Sequence, residues 1–379
     1  MRTVGIICEY NPLHAGHAYL LEQARAQGDR VICVMSGNFT QRGEAAILPP
    51  VPRAAMALAA GADLVLELPF PFACGSARYF ATAGIRALAG VGCDTLMFGS
   101  ESADASAILA AAERLNDPSF TVEGEPDVGD ARAHFEALGM TPDSNDILAI
   151  EYARAVLCEC PDMQILPVKR LGSGYNEQAI GNDFPSASAL RAAYARGEDI
   201  TPLLPPVVRD IWKDGVAACG GVAGVERLGT VLLARLRTVE GHPQIADLGG
   251  GLLAHLSKAA FRATDYASLC REAATKRYTN GRIRRAMLYL LAGVTREDLA
   301  APPAYLRLLA ANEAGREYLS QTRKTRTVPV VTKQADVAAI GESAARARAL
   351  AATADALYAL CLPSPTLPAS LCVTPPVML

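Results

Sequence analysis

The sequence predicts an α/β protein, a parallel-sheet domain followed by a mainly helical region, and three observations predict it. Short apolar, β-branched runs alternate with helical patterns four times over the first hundred or so residues. Strand then helix, repeated, builds a parallel sheet with right-handed crossovers. The polar, glycine-containing stretches fall just after the strands, where such Rossmann-like sheets bind ligands. Finally, Thr201-Pro-Leu-Leu-Pro-Pro206 breaks the chain, and the residues beyond it to about Leu319 are helical in pattern with no strand series. The expected division is therefore 1–200 for the sheet domain, 201–335 for a helical, locally basic domain, and 336–379 for a helix and a proline-rich tail.

Val4 to Cys8 is the first strand, almost uninterruptedly apolar, and it ends in a loop through Asn11-Pro12 before a helix from about Gly16. Val31 to Met35 is the second strand, followed by the loop Ser36 to Glu44 and a helix from about Val51 to Ala60. Asp63 to Leu68 is the third, stopped by Pro69, with a helix over roughly Ser76 to Ala89. Asp94 to Phe98 is the fourth, ending at Gly99-Ser100-Glu101. Asn116 to Asp130 is acidic and turn-rich and reads as a surface excursion. Ser144 suits the N-cap of a helix to about Cys158. Met163 to Val168 supplies a fifth strand, at an edge because Pro167 interrupts it. Val328 to Val331 reads as a late strand, and Asp336 as the cap of an alanine-rich helix to about Leu360.

Composition bounds the function. At 379 residues and 51% hydrophobic, the chain can bury a large core. A net charge of -3 and a pI near 6.0 exclude a generally basic nucleic-acid coat, so any RNA contact is local. The ten cysteines include no C-x-x-C pair, and His134, His242 and His255 are scattered, so reduced thiols and no metal site are expected. No basic leader precedes Val4, which points to a cytoplasmic protein without a signal peptide. The uncharged tail from Ala356 carries five prolines after Leu362, which rule out a continuous membrane helix.

The chemistry concentrates in H-x-G-H, His14-Ala15-Gly16-His17. Gly16 lets the backbone approach a ligand, and a helix N-terminus with two imidazole donors beside it suits phosphoryl oxygens as their charge builds in a transition state. The plainer reading, one helix cap and one surface histidine, loses weight because two of only five histidines stand three residues apart in this strand-loop-helix opening. Ser186-Ala-Ser188-Ala-Leu-Arg191 offers a second anion cradle at a helix start, although a simple N-cap explains it at least as well when taken alone. Arg262 to Arg285 holds seven basic residues against two acidic ones. Within it, Lys276, Arg277, Tyr278, Arg282, Arg284 and Arg285 mix cations with an aromatic, as RNA-binding surfaces do; a solvated helix face is the bland alternative.

Eight segments in order, EYNPLHAGH, MSGNFTQRGE, ADLVLELP, FGSE, SNDILAIEY, KRLGSGYN, SASALR and KRYTNGRIRR, resemble the bacterial tRNA(Met) cytidine acetate ligase family, within the H-x-G-H nucleotidylyltransferase superfamily. The resemblance implies a ligase that activates acetate with ATP, as Mg-ATP, to acetyl-adenylate and pyrophosphate. It then acetylates the wobble cytidine of elongator tRNA(Met) to N4-acetylcytidine, with no tightly bound cofactor and no protein or membrane partner implied. Carried over residue by residue, it places ATP against Ile7, Cys8, Glu9, Tyr10, Asn11, Pro12, Leu13, His14, Ala15, Gly16, His17, Ala18, Tyr19 and Leu20, with further contacts at Gly99, Asn145 and Arg170. His14 and His17 are the catalytic pair, and Ser186, Ser188 and Arg191 match the superfamily's second signature. Family members often have Phe at the position of Leu13 and a Lys near Ala55, which leaves Arg53 as a phosphate or tRNA contact. Two other readings stand beside this one. A metabolic adenylyltransferase acting on a small phosphorylated acceptor would not need the basic stretch, and a non-catalytic RNA-binding protein of the same fold would not need both histidines.

Overall fold

In the computed structural model, residues 1–120, 143–170, 185–241, 244–364 and 374–379 are described, together with Phe135 and Gly139. Most of the expected excursion to Asp130, the segment after Arg170, His134, His242 and much of the proline-rich tail lie outside them. The chain opens with β1 (Thr3–Cys8), α1 (Ala15–Gln27), β2 (Arg30–Ser36), α2 (Pro50–Ala59), β3 (Leu64–Leu68), α3 (Ala77–Val91) and β4 (Thr95–Ser100). It continues through α4 (Ala105–Asn116), α5 (Ser144–Glu159), β5 (Gln164–Lys169) and α6 (Ala187–Ala195). Helices α7 (Arg209–Ala218), α8 (Gly229–Thr238), α9 (Leu252–Ala260), α10 (Tyr266–Ala273), α11 (Asn280–Ala292) and α12 (Arg296–Ala300) come next. The last elements are β6 (Leu306–Ala311), α13 (Glu313–Gln321), β7 (Val330–Val331), α14 (Glu342–Cys361) and β8 (Val377–Met378).

The strands lie in the order β5-β4-β1-β2-β3-β6-β7, and β8 pairs with β6. The first five pair in parallel, as expected, which leaves β1 and β4 adjacent at the point where the strand order reverses. Loops that leave neighbouring strands there diverge and open a crevice. Side chains alternate between the two faces of each strand. On β2, Val31, Cys33 and Met35 join one core while Ile32 and Val34 join the other. The first core collects α1, α2, α6 and most of the helices after residue 200; the second collects α3, α4, α5 and α13. Both faces being covered explains why the strands read as continuous apolar runs rather than alternating ones.

Three expectations need correction. The stretch after Thr201 is not free of strands: β6 pairs antiparallel with β3, so a segment of the helical half completes the sheet. Leu306-Arg-Leu-Leu-Ala-Ala311 is a six-residue, mostly apolar run that periodicity cannot tell from buried helix. Asp143, not Ser144, stands at the N-cap of α5, and it makes no side-chain capping bond. Asp336 caps nothing: it lies in a 3₁₀ turn, Gln334–Ala339, and α14 begins after Gly341 at a positive φ of 128°. The fifth strand does sit at an edge, where Pro167 lacks only an N–H that needs no partner. No helix among the described residues is long and apolar enough to cross a membrane.

Candidate active site

The loop from Glu9 to His14 leaves β1 and turns back through a left-handed Tyr10 (φ 46°) and a cis Asn11-Pro12 peptide. Its backbone is fixed from three sides. The Asn11 carboxamide oxygen accepts the Ile47 N–H at 2.7 Å, the Asn11 carbonyl accepts from Arg191 at 2.8 Å, and the Glu9 carbonyl accepts from Arg53 at 2.6 Å. His14 then caps α1: its Nδ1 accepts the Gly16 N–H at 3.1 Å. His17, one turn on, returns the bond, its Nδ1 accepting the His14 N–H at 3.4 Å. The rings stack with centroids 3.7 Å apart, and Tyr10 meets His17 edge-on at 5.1 Å. A Cβ on residue 16 would stand 3.0 Å from the His14 Cε1, so glycine makes room for the capping imidazole.

This geometry fixes the protonation of the pair. An Nδ1 that accepts a backbone N–H carries no proton, so the neutral ring keeps its hydrogen on Nε2. Burial, with Arg170 and Arg191 nearby, pushes the His14 pKa down to about 3. Burial, His14 and Arg170 also hold His17 well below the usual imidazole range, against a smaller opposing effect of the Pro12 backbone. At neutral pH the site therefore presents two uncharged imidazoles at a helix N-terminus. Neutral donors orient on phosphoryl oxygens without the desolvation cost of two buried cations.

The histidines line a cavity of about 390 Å³, a size suited to a nucleotide-scale ligand. Every residue expected to contact ATP lines it except Pro12, Leu13, Ala15, Ala18 and Ser188. Leu13 is fully buried in the core, where its apolar side chain is at home, and Ser188 does not line the cavity although it shares a helix start with Ser186 and Arg191. Ser186 caps α6, its Oγ accepting the Ala189 N–H at 3.2 Å, so the capping and lining roles coincide in that residue.

On the β4 side, Glu101 and Asp146 tie strand to helix. The Asp146 carboxylate accepts from the Ser100 hydroxyl at 2.5 Å and the Glu101 N–H at 2.9 Å, while Glu101 accepts from the Asn145 amide at 2.5 Å and the Asp146 N–H at 3.0 Å. Asn145 is thereby held at the cavity rim. Arg170 crosses Gly99, where a Cβ would lie 3.3 Å from its Cγ, and reaches Glu101 at 3.7 Å. Sequence reasoning missed the apolar wall of Phe80, Phe98, Ile147, Leu148, Tyr152 and Val168, together with Gln41 and Arg42 from the loop after β2. Phe98 and Val168 sit in strands whose apolar runs gave no sign of which face opens on a ligand. The loop from Ser36 to Glu44 follows a strand, where such sheets bind ligands, but nothing in it singles out these two residues.

Arg53 is not a ligand contact. It is fully buried, donating to the carbonyls of Leu48 at 2.9 Å, Glu9 at 2.6 Å and Gly37. A guanidinium with three carbonyl acceptors pins the loops after β1 and β2 together. The basic stretch also splits. Lys276 and Arg277 are exposed. Tyr278 is buried, its hydroxyl donating to the Gly250 carbonyl at 2.6 Å, with the Arg277 and Arg282 guanidiniums 5.5 and 5.3 Å from its ring. It is therefore no open stacking platform. Arg285 is buried and ion-paired with Asp247 at 3.1 Å, and Arg284 reaches Glu44 at 2.6 Å.

The HIGH Nucleotidyl Transferase family model matches residues 1–368. Among curated proteins, tRNA(Met) cytidine acetate ligases from Syntrophotalea carbinolica and Limosilactobacillus reuteri are 37% and 35% identical, covering 88% of this chain and 85% and 90% of their own lengths. This chain belongs to the tRNA(Met) cytidine acetate ligase family. Among solved structures, Thermotoga maritima TmcAL in an apo form and bound with alpha-thio ATP match over 100% of both chains, at 27% and 28% identity and TM-scores of 0.88 and 0.90. The family's helical region and sheet thus recur at full length in this protein.

Proposed function

We propose that this protein is an ATP-dependent ligase that forms acetyl-adenylate from acetate and ATP and then acetylates the wobble cytidine of elongator tRNA(Met), giving N4-acetylcytidine. One observation carries the reading: a neutral, mutually capped His14–His17 pair at the N-terminus of α1 opens on a cavity whose lining joins polar groups to the apolar side chains of Phe98, Ile147, Leu148 and Val168. The full-length kinship with proteins named for this reaction, one solved with an ATP analogue, supports it.

Adenine, with two apolar faces, fits between Phe98, Ile147, Leu148 and Val168, with Asn145 available to its polar edge or ribose. The triphosphate then runs toward α1 and the N-terminus of α6, where backbone N–H groups, His14, His17 and Arg191 meet it. An acetate oxygen attacks the α-phosphorus, the bond to the bridging oxygen breaks, and pyrophosphate leaves. Imidazole donors that tighten on the departing charge stabilise this step. The cytidine 4-amino nitrogen next attacks the acetyl carbon, AMP departs, and the amine loses a proton. Within Lys276 to Arg285, Lys276 and Arg277 are the basic residues exposed to meet RNA phosphates.

The residues present do not build a dedicated magnesium cage. Among the described residues no cluster of three or more potential ligands forms, and Glu9, which lines the cavity, is pushed by burial toward its protonated form. We assign Mg²⁺ to the nucleotide's own phosphates and the reaction to the cytoplasm. Incubation with ATP, labelled acetate and tRNA(Met) transcript, followed by nucleoside mass spectrometry, tests the reading. N4-acetylcytidine in the wild-type transcript and none when the wobble cytidine is changed to uridine is expected; label that ignores that change contradicts it.

A further inference from the structure

The loop after β2 forms a tight, doubly clamped finger. Thr40 N–H donates to the Glu44 carbonyl and Gly43 N–H to the Thr40 carbonyl, both at 2.9 Å, which places Gln41 and Arg42 at the tip. The Gln41 N–H donates to the Glu9 carboxylate at 2.7 Å, drawing the tip onto the end of β1. From the other side Gly43, at a φ of 70°, sits so close to α11 that a Cβ would meet the Arg285 backbone nitrogen at 2.8 Å. Only glycine fits there without moving the helix. The finger is thus fixed between β1 and α11, and it carries the half-buried Arg42 into the cavity wall.

The sheet order says which part of the substrate this wall faces. The apolar slot, Asn145 and Arg170 lie over β4 and β5, on one side of β1; the loop after β2 lies on the other. The histidines and Arg191 stand at the helix N-termini that take the phosphates. An in-line displacement needs its nucleophile opposite the leaving pyrophosphate, and the reading above assigns base and phosphates to the β4 flank and the helix ends. The flank bounded by Glu9, Gln41 and Arg42 is what remains for the acid.

We propose that Arg42 binds the carboxylate of the acid substrate and aims one of its oxygens at the α-phosphorus, making the finger from Thr40 to Glu44 a short-chain carboxylate subsite. This rests on the acetate-activating reading above. The charges around it agree. Glu9 and Glu44 face three guanidiniums, those of Arg42, Arg191 and Arg284. Burial also weakens the ionised form of Glu9. Among these five groups the guanidiniums outnumber the carboxylates, a field that favours an incoming carboxylate. Planar, forked guanidinium recognition suits a carboxylate whose free oxygen must keep a defined direction.

The test is acetate-dependent ATP–pyrophosphate exchange without tRNA, on the full chain, titrating acetate and ATP separately for wild type, Arg42→Lys and Arg42→Gln. Arg42→Gln should raise the KM for acetate about 10- to 100-fold, the range of a charge-assisted hydrogen bond, with the KM for ATP changed less than about threefold. Arg42→Lys should fall between. Thermal melting of each variant separates loss of fold from loss of binding, and Arg42→Lys, which keeps the charge, serves if Arg42→Gln melts early. Equal rises in both KM values would make Arg42 a nucleotide contact, and a defect seen only in acetyl transfer to tRNA would make it an RNA contact; either overturns the subsite. Wild-type exchange that ignores acetate would instead overturn the reading beneath it.

Discussion

The Gly16 N–H donates to Nδ1 of His14 at 3.1 Å, and this bond decides which nitrogen of the imidazole is left to donate to a ligand. His14 is at once a helix cap and a wall of the cavity, so its capping role does not withdraw it from the cavity. Replacing His14 or His17 by Ala should cut acetate-dependent pyrophosphate exchange by about 100- to 1,000-fold, the usual loss on removing one transition-state donor. Binding of a non-hydrolysable ATP analogue, measured by calorimetry, should change far less. A matching loss of affinity would show that the pair holds the ground state instead.

The same burial makes a pH prediction. Because the folded pKa of His14 is lowered to about 3 while the unfolded value stays near 6.5, the unfolded chain binds more protons between those limits. Stability from this site is therefore present above about pH 6.5 and is lost as pH falls toward 3. Exchange activity should show no imidazole-type inflection near pH 6.5, since His14 stays neutral throughout that range. An NMR titration of the His14 ring with a midpoint near 6.5 would contradict this.

Glu67 carries the opposite sign. Burial, assisted by Asp355 and opposed by Arg307 and Arg53, raises its pKa to about 7. The folded state then holds a proton that the unfolded chain gives up near 4.5, so stability is present at low pH and lost as pH rises through about 7. The fall in Tm between about pH 4.5 and 7 should be visibly shallower in Glu67→Gln than in wild type. Parallel slopes would place the titration elsewhere.

Arg53 illustrates why part of the site was not legible in the sequence. The H-x-G-H motif, the strand-loop-helix opening and the first five strands arise from local pattern, and the cavity assembles where those strands end. The long-range contacts have no local sign. Nothing in Pro49-Pro-Val-Pro-Arg53 announces that the guanidinium turns inward to three backbone carbonyls, or that Leu306 to Ala311 leaves the helical half to pair with β3. Tyr278 and Arg285 likewise read as surface because their neighbours are charged, whereas Gly250 and Asp247, distant in sequence, bury them.

From that burial comes a stability prediction. Arg53→Ala orphans three carbonyl acceptors and should destabilise the fold by about 3–5 kcal/mol, the range for stripping a buried charged partner. Chemical denaturation measures it. A near-native midpoint, with tRNA affinity lost instead, would return Arg53 to the RNA surface.

On the RNA side, neutralising Lys276 and Arg277 together should leave Tm and exchange intact and reduce the log–log salt slope of tRNA binding by up to about 1.5. Arg285→Ala should lower Tm because it leaves Asp247 without its ion-pair partner. If the exposed pair is silent toward tRNA, the RNA surface lies elsewhere on the molecule.

The most direct test of the whole account is ATP–pyrophosphate exchange by the wild-type protein without tRNA, with and without acetate. Exchange that appears only when acetate is added is the predicted result, because the proposed site takes adenine, phosphates and a small carboxylate together. Exchange with no acetate present, or none under any condition, would contradict it.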